Sequence, residues 1–90
     1  MEIKKKAVAG TMESSDVFVD IAPSEEGLYI DIQSVVYNQF GEQIKKAVHE
    51  TFRQFQVERA KVTLNDRGAL DCTIRARVET AIKRAGREEE

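Results

Sequence analysis

The stretch LYIDIQSVVYNQFGEQIKKAV, residues 28–48, decides the fold, because the spacing of its apolar residues changes partway along it. At its start Leu28, Ile30 and Ile32 alternate with side chains that tolerate water. Alternation with a period of two is typical of a β-strand that buries one face. The sequence therefore predicts a strand over residues 28–33.

The second part of the stretch has the spacing of an amphipathic helix. Apolar residues recur there at intervals of three and four, which places them on one helical face. The members of this stripe are Phe40, Ile44, Ala47, Val48, Phe52 and Phe55. We expect a helix over about residues 36–55, with its three phenylalanines in the core and Ser34 as its N-cap.

Upstream of this stretch the sequence reads as further strands. VFVDI, residues 17–21, alternates as 28–33 does, and Pro23 and Gly27 interrupt the chain between the two segments. Two strands separated by such a stretch are typical of a hairpin with a longer loop. KKKAVAG, residues 4–10, is a candidate for one more strand.

Downstream, the sequence predicts a strand, a turn and a second helix. AKVTLN, residues 60–65, alternates, and residues 65–68 (NDRG) have the composition of a turn. The stripe of the second helix consists of Leu70, Ile74, Val78, Ala81, Ile82 and Ala85. Asp71 with Arg75, and Glu79 with Lys83, are spaced as ion pairs on one helix face.

These elements predict an α+β fold in one domain. We expect a two-layer sandwich, in which a small, mostly antiparallel sheet carries two amphipathic helices on one face. Ninety residues suffice for a single domain over 1–90 with a modest core. We expect mobility in residues 1–15 and a frayed, polar tail over 86–90.

Composition excludes several classes of protein. The net charge is −2, but Ala7–Ile44 holds seven acids and no Lys or Arg, whereas Lys45–Arg87 holds eleven basic residues and five acids. Such asymmetry suits a protein partner or an anionic ligand better than nucleic acid.

There is no apolar run that would span a membrane and no secretory signal. A single cysteine favours the cytoplasm, and one His with one Cys gives no metal site.

Few residues are candidates for chemistry of their own. His49 has no identifiable partner nucleophile or carboxylate, and Cys72 lies near a helix start that can activate a thiol but has no obligatory basic neighbour. We interpret both as surface or semi-buried residues without an assigned role. Lys4, Lys5 and Lys6 form a short basic run that we interpret as a solvated strand end.

The segment GTMESSD, residues 10–16, allows three readings. Ser14 and Ser15 are turn residues, catalytic nucleophiles, or acceptors of a covalently attached group. No base follows at a recognisable spacing, which disfavours a hydrolase with its own triad. An exposed serine in an acidic loop suits attachment by another enzyme, which would supply the base.

Three separate motifs resemble one family, the acyl carrier proteins (gamma subunits) of citrate lyase. AVAGTMESSD, residues 7–16, is similar to the family pattern AxAGTxESxD, and IDIQSVVYNQFGEQIKKAV, residues 30–48, resembles its SSVxKQFGxxI segment. LNDRGALDCTIRARVETAIKRA, residues 64–85, resembles DKGALDCxxRARxxAAxxRA. The departures are Met12 in place of Leu, and Tyr37-Asn38 in place of Glu-Lys.

The resemblance implies a carrier that is not itself an enzyme. The serine after the Glu, here Ser14, would carry 2'-(5''-phosphoribosyl)-3'-dephospho-CoA through a phosphodiester, whereas Ser15 falls where the family can have Gly. Its partners would be a prosthetic-group transferase and the two other subunits of the lyase. The alpha subunit would exchange acetyl for citrate on the arm, and the beta subunit would cleave citryl to oxaloacetate.

Alternatives remain beside this reading. The carrier of malonate decarboxylase shares the cofactor type and a similar passage before its last helix, and an unmodified assembly or interaction module would need no serine chemistry. For the surroundings of Ser14 we expect Glu13 and Asp16 to keep the loop hydrated. The basic surface of the last helix, with Arg75, Arg77, Lys83 and Arg84, is a candidate for docking phosphates or a partner subunit. The alternative for Arg75 and Arg77 is that they are merely solubilising.

Overall fold

The computed structural model describes residues 1–87 and contains four strands and two helices. In chain order they are β1 (Ala7–Gly10), β2 (Val17–Ala22), β3 (Leu28–Ser34), α1 (Tyr37–Gln54), β4 (Ala60–Asp66) and α2 (Asp71–Gly86). Every element predicted from the sequence is confirmed within a few residues, although β1 begins only at Ala7 rather than at residue 4. Residues 88–90 of the expected frayed tail lie outside the described residues.

The strands form one mixed sheet in the order β1-β2-β4-β3. β2 pairs antiparallel with β1 and with β4, and β3 pairs parallel with β4. Two of the three pairings are thus antiparallel, as the fold class requires. β4 lies in the middle of the sheet even though it is the last strand in the sequence.

The expected hairpin between the second and third strands is wrong. β2 and β3 do not pair with each other, because β4 lies between them. Two parallel neighbours need a crossover connection longer than a turn. α1 supplies this crossover, since it leaves the end of β3 and returns the chain to the start of β4.

Both helices pack on the same face of the sheet, which confirms the two-layer arrangement. Val17, Val19 and Ile21 of β2 point toward them and have no exposed surface, because alternate strand residues share a face. β4 adds Ala60, Val62 and Leu64 to the core. The helices contribute Ile44, Ala47, Val48, Phe52, Ile74, Val78, Ala81, Ile82 and Ala85. Within residues 1–87, neither helix is long and apolar enough to cross a membrane.

Three predictions at the start of the helices are wrong. Phe40 is 51% exposed and Leu70 is 71% exposed, so neither belongs to the core. Each lies in the first turn of its helix or just before it, beyond the ends of β3 and β4. Ser34 is the last residue of β3 rather than the N-cap of α1, although its hydroxyl accepts a hydrogen bond from the Val36 amide (3.1 Å).

The topology brings three loops together at one end of the molecule. β3 and β4 both end there because they run parallel, and β2 begins there because it runs antiparallel to β4. The three segments are residues 11–16 between β1 and β2, residues 35–36 before α1, and residues 67–70 before α2. We call this end the serine end, because it carries Ser14 and Ser15.

Candidate functional site

The two serines occupy a tight turn between the first two strands. The segment 11–16, which we call the serine loop, connects β1 to β2. Within it the amide of Asp16 donates to the carbonyl of Glu13 (3.2 Å), so Ser14 and Ser15 are the central residues of a four-residue turn. Both serines are exposed.

Backbone conformation separates the two serines. Ser15 has a φ of +66°, in the left-handed region that favours glycine, and its amide donates to the carbonyl of Arg67 (2.9 Å). Ser14 keeps an ordinary negative φ. Among residues 1–87 the Ser14 hydroxyl makes no hydrogen bond, so it is displayed to solvent while Ser15 shapes the turn.

Asp16 fastens the serine loop to the rest of the protein. Its carboxylate accepts hydrogen bonds from two nitrogens of the Arg77 guanidinium (Nε to Oδ1, 3.1 Å; Nη2 to Oδ2, 2.8 Å), which is the bidentate geometry of a strong ion pair. The Thr11 hydroxyl (2.8 Å) and the Val17 amide (2.7 Å) donate to the same carboxylate. The side chain of Asp16 is only 15% exposed, so the expectation that it hydrates the loop is wrong.

These bonds perturb the acidity of the carboxylate. Hydrogen bonds from Arg77, and then from Thr11, lower the pKa of Asp16 from 3.8 to about 2, although partial burial opposes the shift. The group is therefore ionised throughout the physiological range. The resulting link between the loop and α2 is a permanent feature of the folded protein at neutral pH.

Gly10 lets the serine loop leave β1. Its φ is +88°, and a Cβ added at this position would lie 1.8 Å from the carbonyl oxygen of Val17. No side chain fits so close to the backbone of the neighbouring strand. The close approach of β2 therefore explains why glycine stands at position 10, where the chain enters the loop.

The neighbouring segment, residues 67–70, is organised by Asp66. This residue is 1% exposed, and its carboxylate accepts from the Ser34 hydroxyl (2.7 Å) and the amides of Gly68 (3.2 Å) and Ala69 (2.9 Å). The Val35 amide donates to its carbonyl (3.2 Å). One buried carboxylate thus joins the ends of β3 and β4 to the segment that leads into α2.

The basic residues of α2 already have partners within the chain. Arg75 binds Glu50 of α1 (2.8 Å) and Asp71, which confirms the predicted i,i+4 pair and adds a link between the helices. The hydrogen bond from Arg75 lowers the pKa of Glu50. With Arg77 bound to Asp16, the structure gives both arginines a role inside the molecule.

The remaining candidates from the sequence do not join this site. His49 is exposed on α1 and Cys72 is exposed in the first turn of α2. The backbone amides of Lys4 and Lys5 donate to the carbonyl of Ala85, at the far end of α2 from Cys72. In the part of the chain that the structure describes, no three His, Cys, Asp or Glu side chains are grouped as metal ligands would be.

Exposed apolar side chains are concentrated at the serine end. An apolar groove runs between the first turns of the two helices, and its walls include Val36, Phe40, Ile44, Ala69, Leu70 and Ile74. Val35 (65% exposed) and Met12 (48% exposed) lie in the neighbouring loops. The site thus offers an exposed hydroxyl on an anchored turn, beside a surface with unusual apolar exposure.

Sequence reasoning missed the residues that hold the serine loop in place. Asp66 was interpreted as a turn residue, and neither Thr11 nor the contact between Asp16 and Arg77 was anticipated. The signal for Asp66 was present, since Asp readily accepts from amides two and three residues further on. The other two contacts join residues far apart in the sequence or depend on loop geometry, and no spacing indicates them.

Comparison with known proteins places the whole chain among acyl carriers. Residues 4–85 match the family model described as malonate decarboxylase delta subunit. The chain is similar to the citrate lyase acyl carrier protein of Treponema denticola, with 55% identity covering 94% of this chain and 97% of that protein. The protein of the same name from Escherichia fergusonii is 48% identical, covering all of this chain and 94% of that one.

A solved structure shares the fold. One chain of a Pseudomonas malonate decarboxylase hetero-tetramer in complex with malonate superposes with a TM-score of 0.82, covering 93% of this chain and 87% of that one. The identity is 24%, so this likeness concerns the architecture alone. It shows that the mixed sheet with both helices on one face is an architecture already seen in a solved protein.

Proposed function

The chain belongs to the citrate lyase acyl carrier protein family, and we propose that Ser14 is the residue to which its prosthetic group is attached. Members of this family are non-catalytic carrier subunits with a covalently bound prosthetic group, and they work within multisubunit complexes. The proposal concerns the attachment residue, the group and the partners. The observation that carries it is the exposed, unpartnered hydroxyl of Ser14 at the tip of an anchored turn.

The residues around Ser14 suit the attachment of a bulky group. The hydroxyl faces solvent, so a transferase has access to it, and within residues 1–87 nothing bonded to it would have to be displaced. The bonds of Asp16 keep the loop in one place, which lowers the conformational entropy that a modifying enzyme must overcome. Since the described residues provide no base hydrogen-bonded to Ser14, the base belongs to the transferase in this proposal.

The proposed group is 2'-(5''-phosphoribosyl)-3'-dephospho-CoA, joined to the Ser14 oxygen as a phosphodiester. When bound, it supplies a thiol that holds acetyl and citryl groups as thioesters while an alpha subunit exchanges acetyl for citrate and a beta subunit releases oxaloacetate. The residues of this chain contribute the attachment oxygen and the anchored loop. Cys72 is not the carrying thiol in this proposal.

The serine end is also the surface that we expect to face the partners. A group attached to Ser14 must enter active sites that belong to other subunits, so the surface around Ser14 comes close to them. Exposed Phe40 and Leu70 lie on this same end. Apolar side chains with this degree of exposure are typical of surfaces that bind other proteins.

A carrier of the malonate decarboxylase type is the second candidate. The description of the matching family model favours it. The curated relatives at 48–55% identity favour the citrate branch. The test is which assembled complex contains the carrier when it is isolated from its own cells.

Mass spectrometry of the protein from cells grown on citrate tests the attachment. We expect an intact mass increased by the proposed group and a modified peptide that maps to Ser14. Ser15→Ala should be modified like the wild type, whereas Ser14→Ala should carry no group. Modification on Ser15 would correct the site, and an unmodified carrier within an active lyase would favour an assembly module instead.

A further inference from the structure

Arg67 lies beside the serine turn and is joined to it through the backbone. Its carbonyl accepts from the amide of Ser15 (2.9 Å), and its own amide donates to the carbonyl of Asp16 (2.9 Å). These two bonds extend the pairing of β2 with β4 by one step beyond Val17 and Asp66. Arg67 is thereby held next to the turn whose first central residue is Ser14.

The segment that carries Arg67 is held firmly on its other side as well. The buried carboxylate of Asp66 binds the amides of Gly68 and Ala69, so the backbone before and after Arg67 is fixed. The side chain of Arg67 nevertheless points out of the core, and the residue is exposed. The result is a cation on an ordered loop next to Ser14.

The three arginines of α2 are already engaged. Arg77 binds Asp16 and Arg75 binds Glu50 and Asp71, while further along α2 Arg84 donates to the carbonyl of Val8 (2.8 Å). Within residues 1–87 the guanidinium of Arg67 makes no hydrogen bond or ion pair. Glu13, the exposed acidic residue of the serine loop, forms no ion pair with Arg67 in the structure. Its five donors are therefore available to a ligand.

We infer that the Arg67 guanidinium binds the phosphate that is attached to Ser14. This inference rests on the proposed function, because that proposal puts a phosphodiester on the Ser14 oxygen. Arg67 lies opposite Asp16, two residues from Ser14, and long side chains reach such diagonal neighbours on an adjacent segment. Arginine binds phosphate oxygens in a bidentate manner. The contact fixes the first link of the arm, so that the rest of the arm moves from a defined starting direction.

Two charge-matched variants test this inference by nuclear magnetic resonance on the intact carrier. Arg67→Gln removes the proposed ligand. Arg59→Gln removes the same charge from an exposed arginine just before β4, at the opposite end of that strand. Wild type and both variants are produced in cells that contain the transferase, so that the prosthetic group can be attached (loading). Intact mass and peptide mapping establish which molecules carry the group on Ser14.

In the wild type we expect the Nε–H resonance of Arg67 to shift on loading and its exchange with water to slow. The ³¹P resonance of the phosphodiester should differ between wild type and Arg67→Gln, while Arg59→Gln should match the wild type. Arg67→Lys keeps the positive charge but lacks the planar guanidinium that donates two parallel hydrogen bonds. Its ³¹P resonance should therefore lie between those of the wild type and Arg67→Gln. High salt should move the wild-type signals toward those of Arg67→Gln.

The two proposals fail in different ways. A loaded wild type whose Arg67 resonance equals that of the unloaded protein, with the same ³¹P resonance in Arg67→Gln, would overturn the inference and leave the attachment site standing. A wild type that carries no group on Ser14 would overturn both.

Discussion

Two adjacent serines in this protein differ in backbone conformation and in their hydrogen bonds. Ser15 adopts a left-handed conformation and its amide binds Arg67, whereas Ser14 has a negative φ and a hydroxyl that makes no hydrogen bond within residues 1–87. The φ of Ser15 is one that glycine adopts without strain. The choice of Ser14 rather than Ser15 as the attachment residue stays a prediction from the motif.

Replacement of each serine by glycine should separate the two roles. Ser15→Gly removes a left-handed strain of about 1–2 kcal/mol but makes the unfolded chain more flexible, so the free energy of unfolding should stay within about 1 kcal/mol of the wild type. Modification should be retained. Ser15→Val, a β-branched residue at the same φ, should lower the free energy of unfolding by more than Ser15→Gly does.

Ser14→Gly is the matched control for this pair. It should abolish modification and lower stability only by about 0.5–1 kcal/mol, since its backbone gains nothing from glycine. Urea unfolding and intact mass measure both properties. A strongly destabilised Ser15→Gly variant would contradict the turn geometry described here.

The carboxylate of Asp16 should make stability depend on acid. Its pKa is lower in the folded state (about 2) than in the unfolded chain (3.8), so it stabilises the fold above pH 4 and this contribution disappears as the pH falls toward 2. The shift corresponds to roughly 2 kcal/mol, and solvent around the half-exposed Arg77 reduces this to about 1–2 kcal/mol.

Asp16→Asn tests this dependence against Asp20→Asn, which changes an exposed carboxylate on β2. The difference in unfolding free energy between wild type and Asp16→Asn should be largest near pH 6 and should shrink between pH 4 and pH 2. Asp20→Asn should show a much smaller difference throughout. A wild-type minus Asp16→Asn difference that does not change with pH would show that the ion pair with Arg77 contributes nothing.

At the scale of the elements, periodicity predicted each strand and helix but not how the strands pair. Alternation tells which residues of a strand face the core, and Leu28, Ile30 and Ile32 do face it. It does not tell which strand lies alongside, because two strands joined by a short loop and two strands joined by a helix show the same alternation. The hairpin prediction for β2 and β3 failed for this reason.

The starts of the helices were misjudged for a related reason. Phe40 and Leu70 continue the apolar stripes of α1 and α2, so a stripe alone assigns them to the core. They lie beyond the ends of β3 and β4, past the last residues of the strands that could cover them. The length of the opposing layer, which the sequence does not display, decides where a stripe stops being buried.

Asp66 should be the most sensitive polar residue at the junction of β3, β4 and α2. Asp66→Asn keeps the shape but replaces one acceptor oxygen by a donor, which faces either the Ala69 amide (at Oδ1) or the Gly68 amide (at Oδ2). We therefore expect the free energy of unfolding to fall by about 1–3 kcal/mol. Asp31→Asn, at an exposed position of β3, is the control and should change stability by less than about 0.5 kcal/mol.

Hydrogen exchange distinguishes this role from a general effect on stability. Asp66→Asn should accelerate exchange of the Gly68 and Ala69 amides more than that of amides in β1, which lies at the opposite edge of the sheet. Uniform acceleration across the sheet would mean that Asp66 does not organise the segment before α2.

For the whole molecule, one end carries both Ser14, the proposed attachment residue, and several exposed apolar side chains. Leu70→Ser should weaken binding to the assembled partner subunits by about tenfold, which corresponds to about 1.4 kcal/mol, because it removes apolar contact at the proposed interface. Its own unfolding free energy should hardly change, since Leu70 is 71% exposed.

Tyr29→Ser is the control for this measurement, because Tyr29 is 51% exposed but lies on β3, on the face of the sheet away from the helices. Binding of both variants to the partner complex is measured by calorimetry. Equal affinities for wild type and Leu70→Ser would remove Leu70 from the contact surface. A larger loss in Tyr29→Ser would move the interface to the open face of the sheet.

The central position of β4 has a consequence for how the chain acquires its structure during synthesis. β2 and β3 each find their main partner only in residues 60–66, so a nascent chain that stops before Ala60 can form the short β1–β2 pair but not the sheet. These pairings join residues some 30–50 positions apart, and distant contacts of this kind slow folding. Closure of the sheet, and with it the backbone bonds between Arg67 and the serine loop, therefore awaits the synthesis of residues 60–67. A transferase that requires the ordered loop would meet its substrate only after these residues have left the ribosome.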